Sequence, residues 1–497
     1  MTVLRATDQI MANATPPLIG VIDVGSNSIR LVVFEDDARS PDYFFNEKTI
    51  CKLGEGMAET GRLNPVGRKK AMAALRRFVV LARRMGVRDI IGLGTAAMRD
   101  AEDAPEFRDQ VEEETGLRIR VASGQEEAKL SAEGVLLGWP NATGLIADLG
   151  GSSLEIAEAR DGDIRRTVST RAGHLRVGGA DEADSRAALG ELRAEAEQFA
   201  PIEGPLVLIG GAWRALAKAQ MERTKYPMHV LMGYEMATDE ALDLCDWALS
   251  ADPQVLKRTS GSSTARLASI AAGAATLRTL LEALAPTSVS ISAFGLREGL
   301  IYERMPTEMR EEEPLISASR RMEMRSARSP GFGDELFNWL QPLISDYSVM
   351  GKRLSHAACL LHDVNWRQHP DFRSAACFST VTRANLSGVG HKGRLYIGAA
   401  LLHRYKASVM DRDVQAALKL LPADDLQSAE AVGRALRLGA MLTGSVQGLL
   451  GKSRLEISDT ELSLILEPGV AMLSGERVER RVAALATAIG RKPRLVA

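Results

Sequence analysis

The 497-residue chain has few cysteines and no long apolar run. Its four cysteines are scattered without the paired spacing of a metal site, which is typical of buried thiols in a reducing compartment, so we expect a cytoplasmic protein. No window has the apolar length needed to cross a bilayer, and we expect no membrane partner. Residues 1–17 lack the apolar core of a signal peptide and are predicted to form a flexible tail.

Net charge is also nearly absent, at −2 for the whole chain, but it is unevenly distributed. Residues 315–497 contain 25 Lys and Arg against 17 Asp and Glu, a net charge of +8, so the residues before them carry −10. A basic C-terminal half is either a docking surface for a polyanion or an unevenly charged solvated surface, and composition favours neither. We expect no specific nucleic-acid partner.

The order of predicted elements repeats. Two consecutive stretches each predict β-β-β-α-β-α-β-α, which indicates an α/β fold of duplicated ribonuclease-H-like domains over 18–138 and 139–305, with a cleft between the halves. The sequence then predicts a helical HD-like domain over 306–430, which includes a charged linker at 310–314. A small α+β domain is predicted over 431–497. Strands are predicted near 18–24, 28–35, 42–51, 88–94 and 118–122, and again near 143–149, 153–159, 165–170, 205–209 and 287–292. A helix is predicted to begin after Asn64, and an insertion is predicted at about 223–262.

Two strand–turn–strand motifs look alike. One strand ends at Asp23 and the other at Asp148, and each is followed by a glycine turn with hydroxyl side chains. Glycine lets successive backbone N–H groups converge on a phosphate, so two facing turns would hold a phosphate chain, and each Asp could serve a divalent cation or a water. An ordinary hairpin is the alternative for the first motif alone, and its repetition favours binding.

Other candidate groups follow strands at the same edge. Thr95 and Arg99 can contact phosphate, although a surface arginine is the alternative, and Gly210-Gly211 is a phosphate contact or a tight strand-to-helix turn. The candidate phosphate-binding residues are Gly25, Ser26, Asn27, Ser28, Arg30, Thr95, Arg99, Gly150, Gly151, Ser152, Ser153, Gly210 and Gly211.

Carboxylates supply the candidate chemistry. Glu126 has the position of a capping-box carboxylate after Ser123, whereas Glu127 lies about 100° further round the helix and could point into the cleft as a general base. Its alternative is an exposed charge at a helix N-terminus. Asp148 and Glu155 bracket the second turn and have the oxygen ligands that suit Mg²⁺, with Asp23 as a third candidate metal ligand.

Two histidines and an aspartate in the helical region suggest an HD-type metal phosphohydrolase, but the set is incomplete. His362-Asp363 and His391 match the type, which also needs a histidine on an upstream helix. The only histidine between 315 and 361 is His356, too close to His362 for that role. We therefore predict a degenerate HD-like scaffold that binds no metal.

Together these residues resemble the exopolyphosphatase and guanosine pentaphosphate phosphohydrolase family of the actin-like ATPase superfamily. The resemblance is strong over about 18–304 and weaker beyond, and it is specific because five motifs occur in order. These motifs are Asp23–Arg30, Gly94–Arg99, Ser123–Ala128, Asp148–Glu155 and Gly295–Gly299. The chain departs from the family at Ser152, Leu154 and Ala212, which puts phosphate affinity in question more than activity.

The resemblance implies an actin-like fold, Mg²⁺ as cofactor (with Mn²⁺ as the alternative), Glu127 as the catalytic base, and Asp148 and Glu155 near metal and water. It implies stepwise release of terminal phosphate from inorganic polyphosphate, with guanosine pentaphosphate or tetraphosphate as the alternative substrate. We expect a homodimer. A non-catalytic polyphosphate or nucleotide sensor and a sugar kinase are rivals from other classes, and Glu127 counts against a pure binder.

The C-terminal half favours the polymer because only a polymer needs an extended track. Residues 351–400 hold seven cationic side chains against Asp363 and Asp371, and we expect them to bind the distal part of a long polyphosphate. They are Lys352, Arg353, Arg367, Arg373, Arg383, Lys392 and Arg394.

Overall fold

The computed structural model describes residues 17–35, 38–179, 181–263, 267–405 and 412–497. It divides into two compact units. The first runs to Arg223 and resumes over Tyr234–Glu311, and the second combines Thr224–Gly233 with Glu312–Ala497. The predicted tail falls outside the described residues except for Pro17. The predicted domain boundaries stay predictions, although the change of unit after Glu311 lies within the predicted linker.

The first unit contains two mixed sheets. Every predicted strand occurs there within two residues of its expected position, and one short strand, β10, was not predicted. The strands are β1 (Leu18–Val24), β2 (Ser28–Glu35), β3 (Tyr43–Ile50), β4 (Val87–Gly94), β5 (Ile119–Val121), β6 (Gly144–Leu149), β7 (Leu154–Arg160), β8 (Asp163–Thr170), β9 (Leu206–Gly210), β10 (Glu235–Ala237) and β11 (Ser288–Ile291).

Helices connect and cover these strands. The predicted helix after Asn64 is confirmed: the Asn64 side chain accepts a hydrogen bond from the Gly67 N–H at 2.8 Å, and Pro65 occupies the first turn. The helices of the first unit are α1 (Met57–Thr60), α2 (Pro65–Arg84), α3 (Ala96–Asp100), α4 (Ala104–Thr115), α5 (Gly124–Gly138), α6 (His174–Val177), α7 (Glu182–Glu197), α8 (Gly211–Arg223), α9 (Thr238–Ser250), α10 (Pro253–Ser260), α11 (Leu267–Leu284), α12 (Leu296–Arg304) and α13 (Thr307–Glu311).

The two sheets repeat one strand order. The first is β3-β2-β1-β4-β5, and the second is β8-β7-β6-β9-β11 with β10 added at its edge. In both, the first three strands pair antiparallel and the next two join in parallel. The central strands β1 and β6 are almost entirely buried, as their apolar runs require. The duplication predicted from the element order is therefore confirmed in the sheets.

The helices α5 and α12 cross in close contact, and α5 also packs against the strands of the second sheet. Glycine allows the approach. A Cβ atom at Gly299 would overlap the carbonyl oxygen of Leu130, and one at Gly134 would overlap the backbone of Gly295. This crossing fixes α5, which carries Glu127, against the second sheet.

The helix α11 corrects one expectation. It is long and apolar enough to cross a membrane by length and composition, with a mean hydropathy of 1.3 over 18 residues, half of them buried. The prediction that no window has this character is therefore wrong. The helix packs against α7, α8 and α9 of the same unit, and these contacts account for its apolar composition.

The second unit is helical with a small terminal sheet. One continuous apolar core includes residues from its helices and from the sheet, whose strand order is β12-β13-β14. Its elements are α14 (Pro314–Ser326), α15 (Phe332–Trp339), α16 (Gln341–Ile344), α17 (Val349–Leu360), α18 (Arg373–Arg383), α19 (His391–Tyr405), α20 (Arg412–Leu418), α21 (Ala423–Thr443), β12 (Ser453–Ile457), β13 (Glu461–Leu466), α22 (Glu476–Ala488) and β14 (Lys492–Val496), with short 3₁₀ turns at Leu450–Lys452 and Pro468–Leu473.

A segment of the predicted insertion, Thr224–Gly233, belongs to this second unit. His391 anchors it, because its Nε2 lies 2.8 Å from the Val230 carbonyl oxygen and its Nδ1 lies 2.9 Å from the Tyr226 hydroxyl. Met228 from the segment joins the apolar core. His391, considered above as a metal ligand, therefore connects two stretches of chain that are distant in sequence.

The His362-Asp363 pair is buried beside an arginine. Arg328 donates to both oxygens of the Asp363 carboxylate, at 2.7 and 2.9 Å, and the His362 Nδ1 lies 2.7 Å from the Cys359 carbonyl oxygen. Although burial would raise it, the hydrogen bonds from Arg328 hold the pKa of Asp363 below its ordinary value. A guanidinium group thus supplies the positive charge that a metal ion supplies in an HD site.

Two of the seven predicted track cations have other roles. Arg394 is only 1% exposed and donates to the carbonyl oxygens of Ala384 and Leu386, so including it in a surface track was wrong. Arg353 pairs with Glu313 at 2.5 Å and donates to the Gly388 carbonyl oxygen. Buried backbone carbonyls need donors, which explains why these arginines point inward.

We predict that Gly299→Ala destabilises the protein. The added methyl group must displace the Leu130 carbonyl, and such overpacking typically costs about 1–3 kcal/mol of unfolding free energy. Gly190→Ala is the matched control, because it adds the same methyl group inside α7 with no neighbour within 4 Å and should stabilise by up to about 1 kcal/mol. Urea unfolding midpoints check both, and an unchanged midpoint for Gly299→Ala would contradict the close crossing.

Candidate functional site

The two glycine turns have the same internal hydrogen bond and meet each other. In the first turn the Gly25 N–H donates to the Ser28 carbonyl at 3.1 Å, and in the second the Gly150 N–H donates to Ser153 at 3.0 Å. These two N–H groups therefore stabilise their turns rather than remaining for a ligand. The Ser152 hydroxyl donates to the Ser26 hydroxyl at 2.8 Å, which brings the predicted pair of turns together.

Neighbouring segments support both turns. In the first, the Asn27 carbonyl accepts from the N–H groups of Cys51 and Lys52. In the second, the Gly150 carbonyl oxygen lies 2.6 Å from the His174 Nδ1 and also accepts from the His174 N–H at 3.2 Å. Burial lowers the pKa of His174, which favours its neutral ring. Sequence reasoning missed His174, because nothing local links it to a turn more than 20 residues away.

The residue opposite each strand-ending Asp differs between the halves. Asp23 on β1 pairs in register with Arg30 on β2, whereas Asp148 on β6 pairs in register with Glu155 on β7. Directly opposed residues of antiparallel strands point to the same face of a sheet. The same backbone device therefore presents a cation beside the first Asp and a second carboxylate beside the other.

Glu127 is buried and bound by Arg99. The Arg99 Nη1 donates to the Glu127 Oε1 at 2.5 Å and to the Ala122 carbonyl at 3.2 Å, while its Nε contacts Asp100 at 3.1 Å. The structure therefore places the predicted phosphate-binding arginine against the predicted base. Glu127 is 5% exposed, so it is not the solvated charge that the alternative reading of the sequence allowed.

Glu126 behaves only partly as expected. Ser123 accepts from its N–H at 3.2 Å, so the helix cap is confirmed, but the carboxylate pairs with Arg120 instead of returning to the cap backbone. The role of Glu126 as a capping-box carboxylate was therefore wrong. Arg120 lies on the adjacent short strand β5 and competes successfully for the exposed carboxylate.

The acid-rich side of the site carries strong mutual repulsion. Burial and the charge of Glu155 raise the pKa of Glu127 to about 9 despite Arg99, and burial with the charge of Asp148 raises the pKa of Glu155 to about 7. Burial also raises the pKa of Asp148. A positive charge placed among these groups would restore their ionised forms.

Three hydroxyl groups orient these carboxylates. Ser131 donates to the Asp148 Oδ2 at 2.5 Å, and Ser169 donates to the Glu155 Oε1 at 3.0 Å. A hydrogen bond from Ser153 also favours the ionised form of Glu155. A sequence signal existed for Ser131, because it follows Glu127 by four residues and therefore shares its helix face. Ser169 could be found only from the pairing of β7 with β8.

The donor set fits Mg²⁺ through two carboxylates. Among the described residues, no three His, Cys, Asp or Glu side chains converge into a ready metal cluster. Mg²⁺ is usually held by one or two carboxylates and completes its octahedron with water and substrate oxygens. Asp148, which is half-buried, and Glu155, which is buried, face each other in register and repel each other, which matches that requirement.

Asp23 has cationic surroundings instead. The Arg297 Nη1 lies 3.7 Å from its Oδ2, and although burial raises the pKa of Asp23, the charges of Arg297, Lys48 and Arg30 oppose the shift. These neighbours already compensate its charge, so it has less need of a metal ion than Asp148 has. Its role as a metal ligand stays a prediction.

Two half-buried arginines complete the site. The Arg214 Nε donates to the Gly210 carbonyl at 3.1 Å, and its pKa is lowered by burial and by the charge of Arg297. The Arg297 Nε is buried without an acceptor among the described residues. Neither was among the predicted site residues. Arg297 lies within the motif Gly295–Gly299 that carries part of the family resemblance. For Arg214 the only sequence signal was its position four residues after Gly210.

Glu298 links the halves of the first unit. Its Oε1 accepts from the Tyr43 hydroxyl at 3.0 Å, and its Oε2 accepts from the Gly295 N–H at 2.8 Å. Tyr43 lies on β3 of the first sheet, whereas Glu298 lies in the first turn of the helix α12. The bond therefore fixes Arg297, the preceding residue, in its position near Asp23.

The remaining predicted residues lie beside the turns or on their strands. Thr95 lies at the end of β4, its N–H donates to Val24 at 3.2 Å, and its hydroxyl lies next to Gly25. Gly210 pairs in register with Leu149 at the end of β9, and Gly211 begins α8. Arg30 donates to Asn46 at 2.7 Å. Gly151 and Ser28 lie in or directly after their turns.

Two family models match the chain. One, described as the Ppx/GppA phosphatase family, matches residues 32–308, which is more than half of the chain. The other, described as "Exopolyphosphatase, C-terminal", matches residues 315–496.

Similar curated proteins carry different names. A guanosine-5'-triphosphate,3'-diphosphate pyrophosphatase of Aeromonas hydrophila is 27% identical over 375 residues, covering 70% of this chain and 73% of the relative. Exopolyphosphatase 1 of Mycobacterium tuberculosis is 26% identical over 318 residues, covering 58% and 89%. Retrograde regulation protein 2 of Saccharomyces cerevisiae is 24% identical over 463 residues, covering 83% and 77%.

Solved structures share the fold. A Ppx/GppA family member from Aquifex aeolicus aligns with a TM-score of 0.51 at 23% identity over 58% of this chain and 97% of its own. An exopolyphosphatase from Cytophaga hutchinsonii aligns with a TM-score of 0.52 at 22% identity over 57% and 96%. The predicted α/β fold with actin-like domains is confirmed, while the HD-like character of the helical region stays a prediction. The match over residues 32–308 shows that the chain belongs to the Ppx/GppA phosphatase family.

Proposed function

We propose that this chain is an exopolyphosphatase, which hydrolyses the terminal phosphoanhydride bond of inorganic polyphosphate. One observation carries the proposal: the two glycine turns meet through Ser26 and Ser152, and the buried carboxylates of Glu155 and Glu127 lie beside the second turn. A terminal phosphate held at the turns would have a carboxylate base beside it. Membership of a phosphatase family supports the reaction class.

Glu127 acts as the general base in this proposal. Its ionised carboxylate accepts a proton from a water aimed at the terminal phosphorus, in line with the bridging oxygen that leaves. Arg99 favours the ionised form and fixes the carboxylate through its hydrogen bond. Burial makes the carboxylate a stronger base than an exposed glutamate once its proton is lost.

Arginines absorb the charge on the phosphate. Arg297 lies near Asp23 and Arg214 interacts with the charge of Asp148; both are partly buried, and their guanidinium groups can donate to phosphate oxygens as negative charge builds up. Asp148 and Glu155 would hold Mg²⁺, which when bound shields the negative charge of the phosphates. Ser131 and Ser169 keep those two carboxylates oriented toward the same side of the second sheet.

Guanosine pentaphosphate is the second candidate substrate. The Aeromonas relative, which covers 70% of this chain, is named for a guanosine triphosphate diphosphate substrate, whereas the Mycobacterium relative is named an exopolyphosphatase. Both identities are close to a quarter, so neither name decides. The basic C-terminal half favours the polymer, because the other five predicted track cations are exposed or half-buried and so remain at the surface.

Two rivals from other classes have distinct signatures. A non-catalytic sensor would bind polyphosphate without turnover, and the buried, arginine-bound Glu127 argues against it because binding a polyanion does not need a carboxylate there. A sugar kinase would transfer phosphate to a hydroxyl acceptor. Phosphate release in water without any acceptor excludes both rivals.

We predict that Glu127→Gln lowers turnover by about 10²-fold or more, the usual scale of general base catalysis, because the isosteric amide cannot accept the proton. Substrate affinity should largely survive. Steady-state phosphate release and equilibrium binding of the substrate measure the two effects separately.

Glu126→Gln is the matched control, because it makes the same change one residue away, where the carboxylate only pairs with Arg120. It should retain turnover and lose some thermal stability. Loss of turnover in this variant with normal turnover in Glu127→Gln would reverse the assignment.

We predict that Asp148→Asn and Glu155→Gln each raise the Mg²⁺ concentration needed for half-maximal activity by at least about tenfold, because each removes a charged oxygen ligand. Glu158→Gln is the control, since Glu158 lies on the same strand three residues on and faces the opposite side. Equal Mg²⁺ titration curves for wild type and all three variants would place the cation elsewhere.

We predict that long polyphosphate is hydrolysed with a higher kcat/KM than guanosine pentaphosphate. Both substrates should be offered in parallel with Mg²⁺, and with Mn²⁺ in a second series. A preference for guanosine pentaphosphate would assign the alternative activity while leaving the reaction class intact. Absence of phosphate release from either substrate would contradict the proposed function.

A further inference from the structure

The second unit contains a group of arginines without carboxylate partners. Arg404 on α19, Arg437 on α21 and Arg481 on α22 make no ion pair to a carboxylate within the described part of the chain. Arg481 donates from its Nε only to the Met441 sulfur, at 3.3 Å. Thioether sulfur is a weak acceptor and carries no compensating charge.

Helix packing brings Arg437 and Arg481 to one face, and Arg404 is near enough for its charge to act on Arg437. The helix α21 packs against both α19 and α22. It approaches α19 closely at Gly433, where a Cβ atom would overlap the carbonyl oxygen of Ala400. Arg437 and Met441 are one turn apart on α21, so they share a face, and the sulfur contact brings Arg481 to that face.

Nearby acidic residues are already paired. Glu430 binds Arg434 at 2.6 Å within α21. Asp363, which faces Arg404, receives two hydrogen bonds from Arg328. His403, the residue before Arg404, has a pKa lowered by burial and also by the charge of Arg434. Its ring is therefore kept neutral and brings no negative charge near the arginines. Arg437 and Arg481 therefore keep uncompensated positive charges, and Arg404 has only a share of Asp363, whose carboxylate is already bound by Arg328.

This arrangement is electrostatically unfavourable by itself. Arg404 is only 8% exposed, and its Nε is buried without an acceptor among the described residues. The Tyr405 ring, 4.7 Å from its guanidinium carbon, compensates only in part. Burial, together with the charges of Arg481 and Arg404, lowers the pKa of Arg437 to about 10. An anion bound among the three would relieve both the repulsion and the missing hydrogen bonds.

We propose that Arg404, Arg437 and Arg481 form a binding site for a diphosphate group, built entirely from residues of the second unit. Three guanidinium groups supply three positive charges and planar pairs of N–H donors, which match the charge and the paired oxygens of linked phosphates better than those of a single carboxylate. The site is separate in its residues from the glycine turns, so it does not depend on the proposed function.

Equilibrium dialysis of the full chain against imidodiphosphate, a non-hydrolysable diphosphate, tests the site. The experiment contains EDTA and a constant ionic strength. Wild type should bind one more equivalent than Arg437→Gln/Arg481→Gln, or bind that equivalent at least tenfold more tightly. Arg477→Gln/Arg480→Gln removes two charges from the exposed face of α22 and should bind like wild type. Equal binding by all three proteins, or equal losses in both variants, would overturn the site.

A second measurement needs no variant and so does not depend on folding. Phenylglyoxal modifies accessible guanidinium groups, and mass spectrometry of peptides reports each arginine. Imidodiphosphate should slow the modification of Arg437 and Arg481 by at least tenfold and leave Arg480 unchanged, while sulfate at the same ionic strength should protect less. Modification of Arg437 and Arg481 at the same rate with and without imidodiphosphate would contradict the proposal.

Discussion

The rest of the candidate site depends on three neighbouring carboxylates that are largely removed from water: Glu127 and Glu155, which are buried, and Asp148, which is half-buried. Burying like charges is unfavourable unless each receives hydrogen bonds or a cation. Arg99 bonds to the first, and Ser131 and Ser169 bond to the other two. These partners come from α3, α5 and β8, so elements that follow different strands must converge on one place. The close glycine crossing of α5 with α12 belongs to the same constraint, because it fixes the helix that carries Glu127 and Ser131 against the second sheet.

The two halves of the first unit share one backbone arrangement, and they differ in the residue opposite the strand-ending aspartate. Both halves have the same strand order and the same turn hydrogen bond, from the glycine N–H to a serine carbonyl three residues on. Opposite the strand-ending aspartate, however, the first half has Arg30 and the second has Glu155. The first half therefore presents a cation beside its aspartate, whereas the second presents a pair of carboxylates, the kind of oxygen ligands that suit a divalent cation.

The strands, helix caps and glycine turns could be predicted from local sequence patterns. The side-chain contacts between distant segments could not. Each of these local features depends on residues within a few positions, so a short stretch of sequence is enough to predict it. They are the strands, the helix caps at Asn64 and Ser123, and the two glycine turns. The pairing of Glu126 with Arg120, the inward direction of Arg394 and the support of Gly150 by His174 depend on which distant element packs nearby. The expectation for the helix α11 was also wrong. By length and composition this helix could cross a membrane, and its packing against three other helices cannot be predicted from its own residues.

In the second unit, the guanidinium group of Arg328 compensates the aspartate that the sequence suggested as part of an HD-type site. Asp363 is buried and needs a positive partner, which Arg328 provides with two hydrogen bonds. The adjacent His362 points one ring nitrogen at the Cys359 carbonyl, and burial together with the charge of Arg404 lowers its pKa to about 4. Because Arg328 already donates to both oxygens of Asp363, that carboxylate has little capacity left for a divalent cation. Asp363 also interacts with the charge of Arg404, so one carboxylate serves two guanidinium groups and Arg404 is compensated only in part.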